Sequence, residues 1–475
     1  MATRSTSPQS DFGQLLHLIN ASANVIGEAY DAVGCPHPSS NDGSTPISSD
    51  KTQQAGTQQA VITLIAACRQ LIASVMAPVP YAIETSMSFQ YSAAIRVAIE
   101  AHVAEALREV GDQGMHVNDI AKYSNINPDK LARILRLLAT RHIFKEVSPN
   151  VFANNRMSLP LDTGKDAEIF AKTDPNEWYE GTNGHAAYFV LCTDNAMKCG
   201  AHLADTLQDP KTANSYDPLD AAAARGLNAE NGYWGFLNQE GHERHLKTYN
   251  MAMVGSKSLA YDDTLCTRVG WEHFPRGSVC VDIGGGVGTQ TSLITKAHPH
   301  LKMIVQDQGV LQKQAEEYWA ITDVDALPSG RVTWQAQDFF EPQPVKGAAV
   351  YFLRCVLHDW ADEDALRILQ PVRDACSADS KVIIGEMLMS FACPTSPDDE
   401  ARRLVRRPAI PQPLLNNMGI RGGYLSDAAM LGLHNGQERT IDQWHALLKR
   451  AHLKIDRIVG DEGTLHYFSC SPSEE

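Results

Sequence analysis

No continuous run of about 18 apolar residues, the length a membrane-spanning helix needs, can be picked out of these 475 residues. The opening MATRSTSPQSDFGQ also lacks the apolar core of a signal peptide, so a cytoplasmic protein is the default expectation. Basic excess is missing too. With 41 Lys and Arg against 56 Asp and Glu, the net charge is −15, which argues against a general nucleic-acid binder or a membrane-surface protein. The ten cysteines form no CxxC pair, and several sit inside apolar runs, as buried reduced thiols do. No cluster shows metal-ligand spacing, so no metal is expected.

What is present is an ordinary globular composition, 43% hydrophobic and 20% charged, with room for two or three domains. The most informative stretch is VCVDIGGGVGTQTSLI, residues 279–294. An apolar β-type run meets Gly284, Gly285, Gly286 and Gly288, and a helix-like segment starts at Thr289. Glycines at such a turn let a ligand approach the backbone near the positive end of a helix. The dinucleotide fingerprint would place a third glycine at 289, where this chain has Thr, so a nicotinamide site fits poorly. A nucleotide-like cofactor and a purely structural turn both stay open at this point.

Residues 12–34 and 57–78 carry helical apolar spacing, and the Ser- and Pro-rich 36–58 between them reads as a mobile loop. Within 92–157 the pattern is a helix over Ser92–Val110, a short helix, a helix after Asn127-Pro128 and a two-stranded wing turning at Ser148-Pro149-Asn150. This winged-helix-like unit has no marked basic excess, which favours a structural or dimerisation role over DNA contact. The region 160–265 is helical and aromatic, with Tyr249, Met251 and Met253 shortly before the glycine turn. Most of those aromatics are expected in the core. From about 270 the chain alternates strand and helix, with strands at 278–283, 302–306, 331–336, 347–353 and 381–386. A helix at 440–452 and a terminal hairpin turning at Asp461-Glu462-Gly463 close it. Residues 391–423 look like a long inserted loop.

Ligands of open α/β sheets bind beyond the carboxyl ends of the strands. Reading those ends in order collects the glycines, Asp307, Asp338 with Phe339, Arg354 with His358-Asp359-Trp360, and Glu386. Asp307 lies 19 residues after Gly288, suited to accepting two ribose hydroxyls. Asp338 and Phe339 suit an adenine, through its amine and its ring face. His358 is the candidate general base, with Asp359, Glu386 or Glu438 to orient it. A capping or core histidine is the structural alternative.

The series VDIGGGVG, VQD, AQDFF, RCVLHDWADE, GEMLM and NGQERTIDQWHALL resembles, over roughly residues 85–475, the caffeic-acid-type S-adenosylmethionine-dependent O-methyltransferases, the fungal branch above all. The resemblance implies a Rossmann-like, seven-stranded methyltransferase sheet with a C-terminal antiparallel hairpin. A mainly helical, winged-helix-like N-terminal domain would form a homodimer. It implies domains at 1–160, 161–265 and 266–475. Asp282, Gly284–Gly288, Asp307, Gln308, Asp338, Phe339 and Arg354 would hold S-adenosylmethionine. His358 would deprotonate a phenol, flanked by Asp359, Glu386 and Glu438, and Tyr249, Met251, Met253, Trp360, Met430, Leu433, His434 and Asn435 would line the acceptor pocket. Some fungal proteins of this fold instead catalyse pericyclic or dehydration steps while retaining the cofactor. They often alter the catalytic His, which is intact here.

Overall fold

A computed structural model describes residues 10–34, 36–37, 39–41, 57–256, 263–393, 403–405, 410–418, 422–461 and 464–473. Most of the 36–58 loop and the hairpin residues Glu462 and Gly463 lie outside them. The chain divides into two compact units: Met1–His202 with Ala223–Tyr261 and Ile410–Gly419, and Leu203–Ala222 with Asp262–Ala409 and Ile420–Glu475. Of the helical 161–265 segment, 161–202 and 223–261 fall in the first unit and 203–222 in the second.

The first unit opens with helices α1 (Asp11–Ala32) and α2 (Gln58–Val75), which pack on each other through Leu15, Ile26, Tyr30, Ala66 and Ala67. By length and composition α2 is apolar enough to cross a membrane, with mean hydropathy 1.3. Gln59, Thr63, Arg69 and Gln70 interrupt that run, which is why it does not stand out residue by residue. Residues 410–418 of the 391–423 insertion belong to this unit, where Gln70 donates to the Pro413 carbonyl at 2.8 Å.

Helix α3 (Pro78–Ser86) leads into α4 (Phe89–Glu100) and α5 (Val103–Val110). The spacing predicts one helix over Ser92–Val110; the break comes at His102, which takes φ 56°. Its ring is buried against Phe170 and Trp178, at 4.2 and 5.1 Å between centroids. That aromatic packing competes with helix continuity and prevails. Helix α6 (Val117–Ile120) and α7 (Pro128–Ala139) follow. Asn127 caps α7 and Pro128 occupies its first turn, as the sequence signals required. Strands β1 (Met115–His116), β2 (Lys145–Ser148) and β3 (Val151–Ala153) form the wing in the order β1-β3-β2. Arg136 of α7 grips it with two bonds to Glu146, 3.0 and 2.8 Å, and one to Asn150.

The second unit is built on a parallel core of β4 (Val279–Ile283), β5 (Lys302–Asp307), β6 (Val332–Ala336), β7 (Val350–Arg354) and β8 (Lys381–Met389). A short β9 (Arg439–Thr440) pairs with the end of β8, and β10 (Leu453–Val459) with β11 (Leu465–Pro472) makes the terminal hairpin. Along the sheet the order is β10-β11-β8-β7-β4-β5-β6, with β11 antiparallel to β8. Both faces are covered. One carries Leu353, Leu366, Leu369, Trp444 and Phe468; the other carries Trp271, Ile294, Met303, Trp319 and Phe352. This two-sided burial explains why β4, β7 and β8 read as continuous apolar runs.

Candidate active site

The glycine turn is shaped by contacts that leave no room for side chains. Gly284 and Gly288 have φ 68° and 94°, and a Cβ would meet Val356 at 2.8 Å in the first case and the Trp319 ring at 2.9 Å in the second. At Gly285 it would meet the Asp282 carboxyl at 2.7 Å. Asp282 is buried beneath the turn, accepts from the Thr291 hydroxyl at 2.6 Å, and has its pKa pushed up by burial to about 7. It braces β4 against helix α8 (Thr289–Ala297), whose amino end opens at Gly288. Gly286 is different: nothing lies within 4 Å of where its Cβ would be.

At the end of β5, Asp307 accepts from the backbone N–H of Gly286 and of Gln308, both at 2.7 Å and on different oxygens. Each oxygen keeps a lone pair for one further donor. Gln308 thus takes part through its backbone. After β6, exposed Asp338 accepts from Phe340 N–H at 2.9 Å, and Phe339 is half-buried beside Phe340 and Trp360. Trp360, read as a pocket residue, presents its ring to these two phenylalanines, 6.0 and 4.9 Å away. Arg354 ends β7, is bonded to Tyr467, and has a buried Nε with no hydrogen-bond partner. Open space at Gly286, the spare lone pairs of Asp307 and this orphaned donor together fit a ligand with ribose hydroxyls and an acceptor group. The free N–H groups at the start of α8 suit a carboxylate.

His358 stands on a one-turn 3₁₀ segment, Leu357–Asp359, immediately after β7. Its Nδ1 lies 2.9 Å from Glu438 Oε1 and 3.7 Å from Glu386 Oε2, while Nε2 is 3.6 Å from Asp359 Oδ1. Burial alone would depress the imidazole's pKa; Glu386, Glu438 and Asp359 outweigh it and hold it well above 6.5. The same burial raises the Glu386 carboxyl and pushes Asp359 up to about 7. Glu386 is fully buried; its Oε1 accepts the N–H groups of Val356 and Leu357 at 3.1 and 2.9 Å. An Nδ1–H donated to Glu438 leaves Nε2 as the lone-pair nitrogen.

Cys355, His358 and Glu386 bring three donor atoms within 4.8 Å of one another, a cluster the linear spacing did not reveal because Glu386 comes from the neighbouring strand. His358 Nδ1 is already engaged by Glu438 there.

The pocket candidates divide. Met430, Leu433 and His434 lie on α9 (Gly422–His434), with Asn435 just beyond it at φ 55°, donating to the Asp217 carbonyl at 2.7 Å. His434 is buried, 3.8 Å from Asp359, with its pKa lowered to about 3, chiefly by burial and next by His358. Tyr249, Met251 and Met253 belong to the first unit, on the helix Glu243–Gly255. There Tyr249 packs edge-on to Trp234 at 5.4 Å, and both methionines pack against that unit's core.

Sequence reasoning missed the supports of Glu438. Ser426 donates to its Oε1 at 2.8 Å, and Asp427 accepts its N–H at 2.8 Å. It also missed Arg439, which donates to the carbonyls of Leu357 at 2.9 Å and Trp360 at 2.7 Å. An arginine directly after Glu438, followed by a capping box at Thr440 and Gln443, was the available signal.

A parallel sheet with this strand order, an antiparallel penultimate position and a polar row at its carboxyl edge defines a methyltransferase-type α/β domain. Solved structures agree on the fold. LepI in complex with SAM matches at TM-score 0.67 and 19% identity, covering 89% of this chain and 96% of that one. The mitomycin 7-O-methyltransferase MmcR matches at 0.60 and 22%, covering 86% and 99%. The family profile described as O-methyltransferase domain matches residues 202–454, and the O-methyltransferase dimerisation domain matches 83–161. Among curated fungal relatives, 4-O-methyltransferase 1 of Phanerochaete chrysosporium is 34% identical over 94% of this chain and 95% of its own length. O-methyltransferase tpcA of Aspergillus fumigatus is 31% identical over 83% of each. The chain belongs to the O-methyltransferase family that carries this dimerisation domain.

Proposed function

We propose that the protein moves a methyl group from S-adenosylmethionine to a phenolic hydroxyl of a small aromatic natural product, with His358 as general base. The observation that carries this reading is the imidazole held by two buried carboxylates, 2.9 Å from Glu438 and 3.7 Å from Glu386, at the strand end next to the glycine turn. S-adenosylmethionine, when bound, supplies a methyl group on a positively charged sulfonium. Asp307 would accept from its ribose hydroxyls, Asp338 and Phe339 would take the adenine, and Arg354 with the glycine turn the amino-acid end.

Nε2 of His358 takes the phenol proton while Nδ1–H stays on Glu438, and the imidazolium so formed is stabilised by Glu438, Glu386 and Asp359. A base strengthened by three carboxylates lies closer in pKa to a phenol, usually near 10, than an ordinary histidine does. In the protein alone the same carboxylates favour the protonated imidazole, so the free base forms as the pH rises. Met430, Leu433, His434 and Asn435 would form one wall for the acceptor. A homodimer through the N-terminal unit fits the matched dimerisation domain, and a cytoplasmic location is proposed with it.

Incubation with methyl-labelled S-adenosylmethionine and a panel of phenolic acids, polyketide phenols and flavonoids, read by mass, tests the reading. A labelled product supports it. A rearranged or dehydrated product without label would favour the pericyclase alternative. That alternative stays in the test because one fold neighbour is described as "A Pericyclic Reaction enzyme".

A further inference from the structure

The loop that carries His358 is short of backbone partners of its own. Between β7 and the helix Asp362–Ala375 it makes the 3₁₀ turn and one backbone bond to β8, from Cys355 N–H to the Gly385 carbonyl at 3.0 Å, and Cys355 has φ 53°. The loop's Leu357, His358 and Trp360 carbonyls accept from one segment, Gln437–Arg439. Gln437 N–H donates to the His358 carbonyl at 2.9 Å. The two Nη atoms of Arg439 donate to the Leu357 and Trp360 carbonyls, on either side of the histidine, and its Nε meets Asp362 Oδ1 at 2.9 Å. Gln437 reaches the same Asp362 oxygen at 2.8 Å. The guanidinium is fully buried over the Trp444 ring, 5.3 Å from its centroid. Gly436 permits the approach: a Cβ there would lie 2.2 Å from the His358 carbonyl oxygen.

Between these two backbone clasps, Glu438 holds the imidazole of the same histidine. Arg439 is also paired through β9 with Leu388 on β8, the strand that carries Glu386. The segment thus grips backbone and ring of one residue from two directions and ties both to the strand of the second carboxylate.

We propose that Arg439 is a positioning residue for methyl transfer, its guanidinium setting the backbone of His358 at the distance from Glu438 that the base requires. The link to turnover rests on the function proposed above; the link to imidazole geometry does not. A guanidinium can serve two carbonyls and a carboxylate at once through its planar fork, which an ammonium point charge does not reproduce.

The test uses Arg439→Lys and Arg439→Ala in the full chain. Affinity for S-adenosylmethionine by calorimetry should stay within about twofold of the parent, while kcat falls roughly 10- to 100-fold, the cost of displacing a reacting group by about 1 Å. The ascending limb of the pH–rate profile should move toward that of an ordinary histidine. Guanidinium ion at non-denaturing concentration should restore part of the rate to Arg439→Ala, and ammonium at equal concentration should not. A folded variant with parental kcat and pH profile overturns the proposal, as does a rate loss that merely tracks thermal destabilisation without rescue. Should Arg439→Ala fail to fold, Gly436→Ala pushes on the His358 carbonyl, between the two carbonyls that Arg439 holds, without touching the buried charge. The same kcat loss supports the proposal there, and parental kinetics overturn it. An NMR titration of the His358 ring in parent and Arg439→Lys separates the two readings. A shifted ring titration with no methyl transfer in the parent counts against the function alone, and an unshifted titration overturns the positioning role.

Discussion

Replacing Glu438 by Gln removes one charge while leaving an oxygen able to accept from His358 Nδ1, now 2.9 Å from the carboxylate. An opposite charge this close raises an imidazole's pKa by about one to three units, each worth about 1.4 kcal/mol. In the native site the imidazole is held well above 6.5 against the pull of burial. Without Glu438, burial gains ground and Glu386 and Asp359 remain as the opposing charges, so the pKa falls. The sign follows directly. A base with a raised pKa is protonated until the pH is high, so kcat/KM for the acceptor climbs along a limb placed above 6.5 in the native protein. In Glu438→Gln that limb should move to lower pH by about one to three units. The plateau should also drop, because the weaker base drives proton transfer from the phenol less well. Glu438→Gln therefore falls furthest behind the parent at alkaline pH, and at acid pH, where it holds more free base, the gap closes or reverses. Steady-state rates from pH 5 to about 10, in the range where a phenol and a histidine both titrate, decide it. Coincident limbs in parent and variant would refute the electrostatic account of the base.

Asp307→Asn should weaken S-adenosylmethionine binding by about 1.5–3 kcal/mol per charged hydrogen bond lost, read by calorimetry, and unchanged affinity would remove its ribose role. Gly288→Ala should destabilise the second unit by about 1–3 kcal/mol, since a left-handed φ of 94° and the Trp319 ring both oppose a Cβ; an unshifted thermal midpoint contradicts this. Ile72, Val75, Val79, Ile83, Met87 and Phe89 are each more than half exposed. Val79→Asp with Ile83→Asp should turn a dimer into a monomer in light scattering, while a parental mass would take these positions out of the dimer interface.

The strand-end chemistry was legible because a parallel sheet places every carboxyl end on one edge, so order along the chain becomes neighbourhood in space. That is how the glycine turn and Asp307 came to be read together, and the structure joins Gly286 to Asp307 by a direct hydrogen bond. Glu438 belonged to this set through its motif, not its spacing, since 80 residues separate it from His358. Less legible were features decided by tertiary contacts. His102 breaks a helix that its sequence continues, because its ring packs between aromatics distant in the chain. The residues 410–418 joined the first unit through Gln59 and Gln70, polar contacts without any periodic signature. Ser426 and Arg439 support the base from a helix turn and a two-residue strand, and side-chain bonds of that kind leave no trace in hydrophobic patterning.

The central claim is that His358 removes the proton that frees an acceptor for methylation. The measurement that tests it most directly is label transfer from S-adenosylmethionine to an acceptor by the parent and by His358→Ala, with cofactor binding measured alongside. The account predicts unchanged cofactor affinity and a rate lower by about 10²–10⁴ in the variant, the usual contribution of a general base. Parental rates of label transfer in His358→Ala would contradict it.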